Sequence, residues 1–176
     1  VGALQVRWVG DEFLVTRVLS EDAARLEVVS GHGAVTSKID VTSGPAVDAE
    51  RSVAAWITTD GVLTLHSQVA QRSLGSWPGA SVAAVTGPGC DASLTGCTVY
   101  LQAATSHRVV SVDADGEART VARGVTALLD VRQLDDRRII SASIATRGAQ
   151  AALAEAKRNQ CIGTILPLGN DLRIAL

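Results

Sequence analysis

The sequence predicts an all-β fold of about four four-stranded antiparallel sheets, and three observations carry that expectation. Four apolar stretches turn back on themselves through polar turns: residues 26–39 through Ser30-Gly31-His32-Gly33, 54–65 through Asp60-Gly61, 109–121 through Asp113-Ala-Asp115-Gly116, and 131–143 through Asp135-Asp136. These hairpins have similar lengths and recur, as repeated antiparallel sheets do when each sheet takes about 40 to 50 residues. The chain of 176 residues is 47% hydrophobic, yet its only aromatics are Phe13, Tyr100, Trp8, Trp56 and Trp77. A core of Val, Leu, Ile and Ala with this β-branched bias suits strands, and its size argues against disorder.

Taken in order, residues 4–9 alternate weakly and end at Gly10-Asp11, and 13–19 form a longer apolar run. A loop at Ser20-Glu21-Asp22 leads to strands at 25–29 and 34–39, which complete a first unit, residues 1–43. The breaker Ser43-Gly44-Pro45 opens a second unit, 44–78, with strands at 46–49, 52–58, 62–66 and 68–74. After Gly75-Ser-Trp77-Pro78-Gly79, strands at 81–85, 98–102, 108–112 and 118–121 make a third unit, 79–124. The last unit, 125–176, begins as the first does. Residues 131–143 lie over 6–18 without a gap, with Val, Arg and Asp matching. Residues 148–158 have high helix propensity and read either as a short helix or, by the repeat, as an exposed third strand. Strands follow at 162–166 and 172–176. All four units belong to one domain, 1–176.

This organisation resembles the β-propeller superfamily of WD40-like and TolB-like blades, in which an apolar strand, an Asp-Gly turn and a second apolar strand recur; residues 54–65 match that pattern best. The resemblance implies a small ring, a half-ring completed by a second chain, or part of a larger propeller. It also implies a rigid rim of variable loops onto which function is grafted.

Charge and cysteines bound the partners. A formal net charge of −2 leaves no basic field for nucleic acid or an anionic membrane. No apolar stretch approaches the roughly 18 residues of a membrane span. Lys38 and Lys157 are the only lysines among sixteen cations, a bias that a GC-rich genome produces without an Arg-specific role. Cys90 and Cys97 bracket a six-residue turn-forming segment, a spacing that suits a disulfide closing a hairpin loop, with two free thiols as the alternative. A disulfide there implies an exported or extracytoplasmic domain. Cys161 reads as a buried small hydrophobe or as the partner of a cysteine elsewhere. The start at Val1 and the lack of Met suggest a removed leader or anchor, or a piece of a longer protein.

No catalytic constellation stands out. His32, His66 and His107 fall at or beside turns, so propeller symmetry would bring them towards one rim, where they could hold a metal or contact a ligand. One His per unit, with no close His spacing, is equally the pattern of solvated turn residues, and no metal or other cofactor is expected. Asp113-Ala-Asp115-Gly116-Glu117 resembles the start of a calcium loop but lacks the later carboxylates, so it reads as a turn. No Gly-x-Ser-x-Gly elbow is present, and Gly31-His-Gly33 and Gly87-Pro-Gly89 precede no helix that would cradle phosphate. Trp8 and Trp56 sit in apolar strands and are expected in the core, whereas Trp77, before Pro78 in a connecting loop, is the candidate exposed ring. The reading is an extracytoplasmic binding or interaction module that takes a protein or small-molecule ligand on its rim. A hydrolase or lyase with a central-channel metal, and a structural or sensor ectodomain of a membrane-anchored protein, are the alternatives. A homodimer or the rest of a longer propeller would complete a partial ring.

Overall fold

The described residues of this computed structural model, 2–20, 23–103, 108–123, 125–134, 137–144, 166–168 and 171–175, contain sixteen strands and no helix. Sheet 1 comprises β1 (Leu4–Val9), β2 (Glu12–Ser20), β3 (Ala23–Val29) and β4 (Val35–Val41). Sheet 2 comprises β5 (Ala46–Asp48), β6 (Val53–Ile57), β7 (Val62–Ser67) and β8 (Gln71–Ser76), and sheet 3 comprises β9 (Ala80–Thr86), β10 (Thr98–Ala103), β11 (Arg108–Asp113) and β12 (Ala118–Arg123). Each of the three is an antiparallel meander in chain order. Sheet 4 comprises β13 (Val125–Leu134), β14 (Arg137–Ile144), β15 (Leu166–Leu168) and β16 (Asp171–Ala175) in the order β13-β14-β16-β15. The all-β expectation and the division into four-stranded antiparallel sheets are thus met, and the two segments that align in the sequence are the opening hairpins of sheets 1 and 4. Residues 148–158 and Cys161 lie outside the described residues.

The turns follow local chemistry. At Asp60-Gly61 the glycine takes φ +87°, where a side chain would be strained, and its Cα lies so close to Pro78 that an added Cβ would stand 3.3 Å from the proline ring nitrogen. That approach lets Trp77 donate its backbone N–H to Gly61 O at 2.7 Å, tying the β6–β7 turn to the β8–β9 connection. At the β11–β12 turn, where the sequence predicts a hairpin turn, Asp113 Oδ1 accepts from the backbone N–H groups of Asp115 and Glu117, an Asx-type arrangement.

Sheets 1, 2 and 3 stack face to face, and period-two alternation decides which side chain enters which interface. On β6, Ala54 and Trp56 join Val9, Leu14, Leu26 and Val28 between sheets 1 and 2. Val53, Ala55 and Ile57, from the other face, join Leu63, Leu65, Val99, Leu101 and Val110 between sheets 2 and 3. The uninterrupted apolar sequence of β6 follows from burial on both faces. On the far face of sheet 3, Tyr100 and Val109 are fully buried, and β13 runs beside β9, β10 and β11. At the end of β4 the backbone also joins sheet 1 to sheet 2, with Thr42 N donating to Ile57 O and Thr59 N to Asp40 O, both at 3.0 Å.

Cys90 and Cys97 lie at disulfide distance, with Cα atoms 4.3 Å apart, in the connection between β9 and β10. This connection is part of the core, with both cysteines and Leu94 buried between sheets 2 and 3. Leu94 holds φ +67°, a left-handed conformation costly for a branched side chain, and full burial compensates for it. Ser67 Oγ donates to Ala92 O, which fastens the loop to the end of β7.

Candidate functional site

First strands of successive sheets run side by side, β1 next to β5, β5 next to β9, and β9 next to β13. Each of β1, β5, β9 and β13 is an edge strand of its own sheet. A cleft of about 770 Å³ opens where β1, β5 and β9 meet, lined by Arg7 and Trp8 of β1, by Ala46 to Arg51 on and after β5, and by Ala83 to Thr86 of β9. Arg51 donates to Asp48 at 2.8 Å within this wall, while Arg7 and Glu50 have no ion-pair partner among the described residues.

A second cleft, of about 530 Å³, lies on the rim at the turns β1–β2, β3–β4 and β7–β8. Trp8 borders both clefts. Contrary to the sequence expectation, its side chain is not in the core: Trp8 is 58% exposed, whereas Trp56 is 1% exposed. The reason is the stacking order. Leu4, Val6 and Trp8 share the face of sheet 1 that is turned away from sheet 2, and no described sheet covers that face. Trp8 packs edge-on to Phe13 with ring centroids 5.4 Å apart, and register continues this row through Val29 to Val35. Further along the same face the side chains become charged. Arg25 donates to Asp40 at 3.0 Å, Lys38 lies 3.3 Å from Glu27, and the Asp40 carboxylate raises the pKa of the Arg25 guanidinium further.

Two glycines bring the turns of the rim cleft together. Gly31 lies so close to the β1–β2 turn that a Cβ there would be 2.9 Å from Asp11 O, and at Gly10 a Cβ would be 2.7 Å from Gln68 Oε1. Gln68 reaches across from the β7–β8 turn, and its Oε1 accepts from Asp11 N at 3.4 Å. Asp11, His32 and Gln68 are exposed around the opening.

Of the three candidate histidines, His32 lies exposed on this rim, and His66 is nearby but buried. His66 Nε2 is 2.9 Å from Glu12 Oε2, and because a carboxylate only accepts, this nitrogen carries the proton. Its ring leans on Trp56 with centroids 5.2 Å apart, and its buried Nδ1 has no hydrogen-bond partner among the described residues. His66 therefore joins sheet 2 to sheet 1. His107 lies outside the described residues. No group of three His, Cys, Asp or Glu side chains suited to a metal ion occurs among the described residues.

Trp77, the ring the sequence singles out, is half-buried against the core between sheets 2 and 3, and its indole N–H donates to Leu74 O at 3.1 Å. It braces a connection, and the exposed ring is Trp8. The signal for Trp8 is the alternation Leu4-Gln-Val6-Arg-Trp8, which marks an apolar face without saying whether another sheet covers it. No helix among the described residues is long and apolar enough to cross a membrane. Comparison of the sequence with known proteins returns no matching family model and no matching curated protein.

Proposed function

We propose that this chain is a propeller-type binding module that works outside the cytoplasm and takes its ligand where the first strands and the rim turns meet. One observation carries the reading: the first strands of sheets 1, 2 and 3 lie side by side along an open cleft, and an exposed tryptophan borders both that cleft and a second one among the turns. Stacked sheets fix the strand edges and turns, and a rigid scaffold presenting variable turns is a common basis for recognition. Both clefts fall in the size range of about 300–1,000 Å³ usual for small-molecule sites. The Cys90 and Cys97 pair at disulfide distance supports an oxidising compartment.

Titration of the isotopically labelled chain with short peptides, nucleotides and neutral sugars, followed by NMR, tests this proposal. At least one class is expected to shift the backbone amides of β5 and β9 or of the rim turns saturably, while the indole signal of buried Trp56 stays in place. If no class moves any of those amides, the binding-module reading is wrong.

A further inference from the structure

We infer that the rim cleft at the turns β1–β2, β3–β4 and β7–β8 binds a neutral saccharide stacked on the ring of Trp8. The inference rests on the binding-module reading and gives that reading a ligand class. An exposed indole in a cleft is the first requirement, because the C–H face of a pyranose packs on an aromatic face and buries apolar surface there. Phe13 holds the indole from one side by an edge-on contact, so the cleft presents a single platform and not a cage closed on several sides.

Polar side chains supply the second requirement. Hydroxyl groups both donate and accept, so a polyol is best met by groups of both kinds. Asp11 offers acceptors, Gln68 an amide with both kinds, and His32 a ring with one or two donors. Charge narrows the choice further. Among the described residues the cleft is lined by two carboxylates, Asp11 and Glu12, and by no Lys or Arg, which disfavours phosphates, nucleotides and acidic sugars. Glu12 is already engaged by His66, so one free carboxylate remains, too little to favour a cation over a neutral ligand.

The site is also built to close tolerances. Gly31 leaves room for the turn approach and Gly10 for Gln68: a side chain at Gly31 would force the β1–β2 and β3–β4 turns apart, and one at Gly10 would push the Gln68 amide aside. The platform and its polar neighbours come from two sheets, since Gln68 belongs to sheet 2 and the rest to sheet 1.

The test is an NMR titration of the whole chain with glucose, galactose, mannose, N-acetylglucosamine, cellobiose, lactose and maltose, reading the three indole N–H signals, with the Trp8 signal assigned by its loss in Trp8→Ala. We expect at least one sugar to shift the Trp8 signal and the amides of Gly31 and His32 with Kd of about 10 mM or tighter, leaving the Trp56 signal unmoved. Trp8→Ala and Asp11→Ala should each weaken that binding about ten-fold, the size of one stacking or charge-assisted contact. Gly31→Ala should weaken it too, and Leu4→Ser, at the far end of the same sheet face, should leave it unchanged. If every sugar leaves the Trp8 signal in place, or if tetramethylammonium moves it where sugars do not, the saccharide assignment is overturned. A peptide or nucleotide that shifts β5 and β9 would in that case leave the binding-module reading intact.

Discussion

Trp8 and Trp56 occupy similar sequence contexts, Val6-Arg-Trp8-Val9 and Ala54-Ala-Trp56-Ile57, yet one ring is exposed and the other is enclosed between two sheets. Their substitutions should therefore separate. Trp56→Ala is expected to cost about 3–5 kcal/mol, as for a fully buried aromatic, whereas Trp8→Ala should cost only about 0.5–1.5 kcal/mol, the worth of its edge-on pair with Phe13; chemical denaturation of the two variants checks both values. A different residue sets a pH response. Asp91 accepts from the Ser93 hydroxyl and backbone, and these bonds, the hydroxyl first, hold its pKa below the ordinary carboxylate value. Because the folded pKa is depressed, its contribution is present above the ordinary carboxylate range and is lost as the pH falls through the lowered value. Asp91→Asn should flatten the acid limb of a thermal-stability profile by that component, and an unchanged limb would show that the bonds have no such effect.

At the scale of elements, the connection between β9 and β10 behaves as a piece of core. Leu94→Ala should destabilise by about 2–5 kcal/mol, since it empties a fully enclosed site, and reducing the Cys90–Cys97 bond should cost about 2–3 kcal/mol by freeing a short loop in the unfolded chain. Denaturant midpoints with and without reductant measure the second figure. Strand positions were largely legible in the sequence, because alternating apolar residues and Asp-Gly turns are local signals. The β6–β7 and β11–β12 hairpins fall where those signals put them. Other features depend on neighbours that the local pattern does not name. The alternation on β1 resembles a core face, and only the position of sheet 1, with one stacked neighbour among the described sheets, leaves Trp8 exposed. The rim cleft was hidden for the same reason, since it joins Asp11, His32 and Gln68 from turns far apart in sequence. The short segment between Cys90 and Cys97 looks like a surface turn because it is small and polar, and Leu94 is the one clue that it folds inward.

Across the whole molecule, protection should follow the stacking. Sheet 2 is covered on both faces, while the outer face of sheet 1 keeps Leu4, Val6 and Val35 exposed. Amide hydrogen exchange is therefore expected to be slowest in β6 and β7 and faster in β1 and β4, the ordering produced when an end sheet opens without the middle; equal protection in sheets 1 and 2 would instead indicate a single cooperative unit. Stacking also determines how the sulfurs can be attacked. Cys90 and Cys97 are almost wholly covered by sheets 2 and 3, so a dissolved thiol reaches them only when those sheets part. The sulfur pair is thus a chemical clock: at excess reductant, the rate at which free thiols appear measures how often the interior of this stack breathes.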